Sequence, residues 1–180
     1  VDQASVVNLT DKQDTTITLY AQWSASVYYI RFHGGDGATG TMSDQPITYD
    51  IKQQLNPNTF SKTGYTFANW SLTEDGKGTS YQDKEEILNL TDENNAIIHM
   101  YAQWNANKYT VEFEKNSTNV TGTMKNQEFT FDQAQKLTKN AYAKTGYTFT
   151  GWNTQADGKG ITYTNEQQVK NLTATLNGTV

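Results

Sequence analysis

The sequence predicts an α+β, mainly β architecture: tandem small domains, each a twisted sheet with one short helix. Three observations lead there. Lys62-Thr63-Gly64-Tyr65-Thr66-Phe67, followed by Trp70, returns letter for letter as Lys144-Thr145-Gly146-Tyr147-Thr148-Phe149 with Trp152, an offset of 82 residues. The offset persists downstream, where Asp75-Gly76-Lys77-Gly78 becomes Asp157-Gly158-Lys159-Gly160, Tyr81 becomes Tyr163 and Asn89-Leu90-Thr91 becomes Asn171-Leu172-Thr173. A repeat of that length held in register marks a tandem array. Second, apolar and polar residues alternate over short runs, the period of half-buried strands. Third, the chain has only 2 prolines but abundant Thr, Asn, Gln and Gly, a mixture that favours short strands and turns over long helices.

Taken in order, residues 1–26 read as the C-terminal part of a preceding repeat. Leu19-Tyr20-Ala21-Gln22-Trp23 matches Met100-Tyr101-Ala102-Gln103-Trp104, 81 residues on. Ile17, Leu19, Ala21 and Trp23 alternate with Thr18, Tyr20 and Gln22, which predicts a half-buried strand over Ile17–Trp23. A second strand follows, with Tyr28, Ile30 and Phe32 inward and Tyr29 and Arg31 outward; Tyr109, Val111 and Phe113 repeat the inward set. The loop from His33 to Gly40 is one residue shorter than its copy from Glu114 to Gly122, the mark of an exposed hairpin tip. Asp50-Ile51-Lys52-Gln53-Gln54-Leu55 and Asp132-Gln133-Ala134-Gln135-Lys136-Leu137 are the helix candidates. Each opens on an N-cap Asp, and Asn56-Pro57 ends the first. Tyr65 and Phe67 share a strand face, while Trp70 falls on the opposite parity, predicting a bulge or a strand buried on both sides. Asp75-Gly76-Lys77-Gly78 is a turn, and Thr79–Tyr81 the strand after it.

Two divisions of the chain fit this pattern. In one, 27–106 is a complete repeat and 107–180 a repeat lacking its last strand. In the other, permuted division, the units are 16–97 and 98–180, which requires Trp23 to pack on Tyr28, Ile30, Phe32 or Phe67.

Composition narrows the function. The 180 residues carry a net charge of −5, which disfavours non-specific nucleic-acid binding. Cysteine is absent, so disulfides, thiol catalysis and cysteine metal sites drop out. No apolar run reaches membrane-spanning length, so no membrane insertion is expected of this segment. Tyr, Phe and Trp make up 12 % of the chain and sit mostly at repeated positions, where they read as core.

The combination Thr-Gly-Tyr-Thr-Phe…Trp, Asp-Gly-Lys-Gly, Asn-Leu-Thr and Tyr-Ala-Gln-Trp resembles the Listeria–Bacteroides repeat, also called the internalin B-repeat. Asn69 stands where the family usually has Gly, a position Gly151 keeps, and Met100 replaces the usual Leu. The resemblance implies a β-grasp-like domain with strands wrapped across a short helix. It also implies export to the extracellular surface or cell wall of a Gram-positive bacterium, and a role as stalk or adhesive module without enzymatic residues.

No residue of the sequence is assigned as catalytic, cofactor-binding or metal-binding. His33 and His99 lie on different elements and neither recurs as histidine in the other copy, so both read as surface residues. Asp36, Asp75 and Asp157 sit in turns with too few acidic neighbours for calcium. Glu85 and Glu86 are adjacent and diverge, and the copy Glu166-Gln167-Gln168 is shifted by one, which argues for a solvated loop over a catalytic pair. Asn8, Asn89 and Asn171 open Asn-x-Thr triplets, and their repeat spacing points to backbone capping. Tyr20, Tyr29 and Tyr101 face outward, where they serve either cross-strand packing or ligand binding. The expected function is a non-enzymatic spacer and adhesion segment, with adjacent repeats of the same chain as its neighbours. The competing reading is a binding module for a host glycan, mucin or receptor protein.

Overall fold

The alternation around Tyr28, Ile30 and Phe32 becomes the first strand of a sheet whose inner face they bury completely or nearly so. The structure is a computed structural model and describes residues 5–180. Its strands fall into two sets of nine in matching order. The first repeat contains β1 (Val27–His33), β2 (Ala38–Thr39), β3 (Gln45–Thr48), β4 (Gln53–Gln54), β5 (Ser61–Lys62), β6 (Tyr65–Ser71), β7 (Ser80–Tyr81), β8 (Glu86–Ile87) and β9 (Ile97–Ala106). The second contains β10 (Lys108–Val111), β11 (Val120–Thr121), β12 (Gln127–Thr130), β13 (Gln135–Lys136), β14 (Ala143–Lys144), β15 (Trp152–Asn153), β16 (Thr162–Tyr163), β17 (Gln168–Val169) and β18 (Gly178–Thr179).

In the first repeat, five strands form one sheet in the order β3-β1-β9-β6-β7. Strand β9 lies at its centre, parallel to β1 and antiparallel to β6. The β6–β9 register slips between Phe67 and Asn69, so that Phe67 and Trp70, on opposite parities, both reach the core. There Trp70 is fully buried, with its ring 4.8 Å from Phe32 and 5.0 Å from Phe67.

The expected short helix is absent, and with it the β-grasp-like α+β arrangement: among the described residues the protein is all-β. Asp50 and Asp132 are not N-caps, since their φ angles of 60° and 62° place them in the left-handed region. Asn89 holds Asp50 there through two hydrogen bonds of 2.7 Å, its Oδ1 accepting from the Asp50 amide and its Nδ2 donating to the Asp50 carboxylate. Asn171 does the same for Asp132. The next residues then pair as strands, β4 with β8 and β13 with β17. A six-residue helix has little stability of its own, so partners 39 residues away decide the conformation.

A second correction concerns Ile17–Trp23. It forms no strand, and Leu19, Tyr20 and Trp23 are 77, 79 and 91 % exposed. An isolated strand without a sheet to join is unstable in water. The packing of Trp23 on the first core, which the permuted division requires, does not form; Trp104 instead packs edge-on against Phe67 and donates its indole N–H to the Gly34 carbonyl at 2.8 Å.

The second repeat rebuilds the same core with a last strand, β18, of only two residues. Tyr109, Val111, Phe113, Phe129, Leu137 and Val169 are buried, and Trp152 keeps Phe113 and Phe149 at 4.8 Å each. Its main sheet is only β12-β10-β18, and β15-β16 stands apart. Among residues 107–180 none corresponds to residues 99–106, and Trp152 is only partly buried. Trp70→Ala should therefore cost about 3–5 kcal/mol, the range for large aromatics deleted from closed cores. Trp152→Ala should cost roughly half as much or less, because less of its apolar surface is out of water. Denaturant unfolding of the two variants, following each repeat separately by NMR, measures the difference.

Candidate functional site

The outward face of the first sheet brings together residues that the sequence left apart. Parallel pairing of β1 with β9 sets Arg31 opposite His99 and His33 opposite Tyr101. His33 Nε2 and His99 Nδ1 are 2.8 Å apart, and the His33 ring stacks on Tyr101 at 4.7 Å and on His99 at 5.1 Å. Burial chiefly, and then the neighbouring His99 and Arg31, push the His33 imidazole below its ordinary value. Arg31 forms an ion pair of 2.6 Å with Asp44 beside this row. Among the described residues no group of three or more His, Asp or Glu is placed to hold a metal ion. Tyr29 lies in the same sheet, half-buried, whereas Tyr20 lies outside it.

The remaining candidates act on backbone. Asp75 Oδ1 accepts from the Thr73 hydroxyl at 2.7 Å and the Lys77 amide at 3.1 Å, and Asp157 caps Lys159 likewise; Asp36 sits exposed in a turn. Glu85 accepts from the Gln82 amide at 2.6 Å, and its counterpart Gln167 accepts from the Thr164 amide at 2.8 Å. A neutral amide fills the same role, so the charge of Glu85 is not what the turn uses. Glu86 faces Lys52 at 3.1 Å. Asn89 and Asn171 cap Asp50 and Asp132 as described, and Asn8 lies in the exposed N-terminal segment.

The most organised polar cluster lies where the two repeats meet. Asn107, between β9 and β10, is buried and hydrogen-bonds in both directions. Its amide donates to the Gly64 carbonyl at 2.8 Å and its Oδ1 accepts from the Thr66 hydroxyl at 2.7 Å, both in the first repeat. Its carbonyl accepts from the Phe131 amide at 2.8 Å and its Nδ2 donates to the Ala174 carbonyl at 2.8 Å, both in the second. Beside it the Tyr65 ring meets Phe131 edge-on at 5.8 Å, and the Tyr65 hydroxyl donates to Asp132 at 2.8 Å. Gly64, at φ 77°, lies flat against the Phe131 ring, where any Cβ would collide. No sequence signal marked Asn107, because the corresponding residue of the first repeat is Ser26. Tyr65 and Asp132 were visible only as members of the repeat.

Residues 28–103 and 109–176 each match the Listeria-Bacteroides repeat domain. The chain belongs to that family. Similar proteins include one named provisionally as a Gly-rich membrane protein of Evansella cellulosilytica, 34 % identical over 104 residues, covering 57 % of this chain and 12 % of that protein. A second, provisionally named membrane protein of the same organism is 28 % identical over 143 residues, covering 79 % of this chain and 20 % of its own length. Internalin H of Listeria monocytogenes is 34 % identical over 104 residues, 57 % of this chain and 16 % of that protein. The chain thus spans a fifth or less of the length of these relatives. No solved structure matches it. Among the described residues no helix is long and apolar enough to cross a membrane.

Asp132 gives the joint a pH dependence. Hydrogen bonds from Asn171, Tyr65 and Lys170 favour the charged carboxylate and lower its pKa to about 2. The folded value lies below the unfolded one. Its contribution is therefore complete above about pH 4 and disappears as pH falls toward 2. A carboxyl 13C titration should show Asp132 protonating last among the aspartates, and Tyr65→Phe should move its midpoint upward.

Proposed function

We propose that this chain is a non-enzymatic spacer and adhesion segment displayed at a bacterial cell surface. The observation that carries the reading is the joint. A connection of one residue, Asn107, braced by Tyr65 and Asp132, limits rotation between repeats, and limited rotation at each joint is what gives an array reach. The polar groups singled out by sequence are mostly engaged in holding turns, which suits a structural module. The family and its relatives, an internalin and two membrane proteins, support the placement at the surface.

Small-angle scattering checks the central claim. The chain should scatter as an elongated particle with a narrow distribution of lengths. The double variant Tyr65→Ala, Asn107→Gly should broaden that distribution while each repeat stays folded. A compact globule, or no change in the variant, would remove the spacer reading.

A second reading has its own observation. The row His99, His33 and Tyr101 presents stacked rings on an outward sheet face, and the second repeat has no such row, with Glu114 standing where His33 does. Stacked rings of this kind suit a host glycan, a mucin or a receptor protein. On a glycan array, and in pull-downs from host cells, binding that disappears in His99→Ala and Tyr101→Ala would favour this role. Uniform silence from a folded chain would leave the spacer alone.

A further inference from the structure

The sequence contains 2 histidines, and the fold puts them within one hydrogen bond of each other. Histidine is the side chain whose ordinary titration falls between about pH 5 and 8. The other groups whose values are shifted move away from that window: Asp44, Asp75 and Asp132 downward, Tyr65, Tyr81 and Arg31 upward. The side-chain response of this chain to mild acid is therefore concentrated at one spot. That spot bridges two strands, since His33 ends β1 and His99 is the third residue of β9.

A hydrogen bond between two imidazoles has room for one proton. In the neutral pair one facing nitrogen donates and the other accepts across 2.8 Å. A first added proton goes to the outer nitrogen of the donating ring, and the bond survives with a charged donor. A second proton has only the accepting nitrogen to go to. It would set two N–H groups, on two cations, against each other. We propose that the His33–His99 bond is an acid-sensitive latch across β1 and β9, closed while the two rings share one N–H and opened when both facing nitrogens carry protons.

The surroundings favour opening over accommodation. Arg31 of β1 places a further positive charge beside the pair, and Tyr101 of β9 covers the His33 ring at 4.7 Å. Two carboxylates oppose it: Asp44, just before β3, and Glu74, in the turn after β6. Asp44 is already committed to Arg31, whose Nε donates to Oδ1 at 3.0 Å and whose Nη2 donates to Oδ2 at 2.6 Å. Burial outweighs both acids and holds His33 below its ordinary value. Opening reaches past the surface. His33 is followed by Gly34, whose carbonyl accepts the Trp104 indole N–H at 2.8 Å, and Trp104 in turn packs edge-on against Phe67. A His33 ring driven from His99 disturbs that end of β1 and dissolves the row of rings it forms with Tyr101.

The sign of the effect follows from proton counting. Unfolded, the two imidazoles protonate independently near pH 6.5. Folded, the pair holds back one of the two protons. The unfolded chain thus binds more protons in mild acid, and the first repeat loses stability as pH falls below about 6.5. The second repeat contains no histidine and serves as a reference within the same molecule.

NMR of the imidazole nitrogens of the full chain between pH 8 and 4 tests this, together with denaturant unfolding of each repeat. The pair should take up its protons in two separate steps. The second step should coincide with loss of the His33–Tyr101 contact and a shift of the Trp104 indole N–H. Between pH 7.5 and 5 the unfolding constant of the first repeat should rise about tenfold or more relative to that of the second. His99→Gln removes the conflict between protons and should abolish the second step and most of that rise. His33→Glu, which copies Glu114 of the second repeat, sets a carboxylate against His99 and should reverse the slope, making the first repeat more stable in mild acid. Two independent titrations with the Tyr101 contact unchanged would overturn the inference. So would an acid response of the same size in His99→Gln, which would place its source outside the pair.

Discussion

Each repeat depends on a strand that arrives last in sequence and lies in the middle of the sheet. Residues 97–106 hydrogen-bond to β1 on one side and β6 on the other, so they join two halves of the repeat that are otherwise linked only by two-residue strand pairings and side-chain contacts. They also supply Met100 and Ala102 to the core and place Trp104 over Phe67. The two repeats compare the consequences directly. With the strand, seven-residue neighbours form a five-stranded sheet around a closed core. Without it, the aromatic trio of Phe113, Phe149 and Trp152 still assembles, but the backbone around it is paired only in fragments. Side-chain packing sets where the chain goes, and the central strand converts that path into a continuous sheet.

The same strand continues almost directly into the next repeat. Because only Asn107 separates β9 from β10, any misalignment at that residue would tilt one sheet against the other. Four hydrogen bonds from a single buried residue fix its backbone and its amide. An asparagine suits the position because it offers both a donor and an acceptor on the side chain, and the two repeats each take one. Tyr65 and Asp132 add a charge-assisted bond at the edge of this joint, where one of the acid's other partners is the asparagine that shapes its turn.

What could be read in the sequence follows the range of the interactions involved. Tyr28, Ile30 and Phe32 were legible because alternation is a local property, and Trp70 was legible as core because it recurs with its neighbours. The stretch from Asp50 to Leu55 was misread because its conformation is decided by Asn89, far along the chain. Its helical propensity has no voice once both ends are held. Ile17–Trp23 was read as a strand from its alternation, which describes what it would do in a sheet and not whether a sheet is present. His33 and His99 were judged separately, since only the register of two parallel strands brings them within a hydrogen bond. Asn107 left no trace because a joint between repeats has no periodicity.

The parallel pairing of β1 and β9 carries a mechanical consequence. A repeat in an array is pulled by its two ends, at Val27 and at Ala106, and these belong to adjacent strands running in the same direction. Tension along the chain therefore tries to slide β1 and β9 past one another, loading the pairs from Tyr29–Ile97 to His33–Tyr101 together. Hairpin geometry would instead open them one after another, like a zipper. The repeat resists stretching as a clamp in shear, and the load passes from β9 through Asn107 into the next clamp in the line.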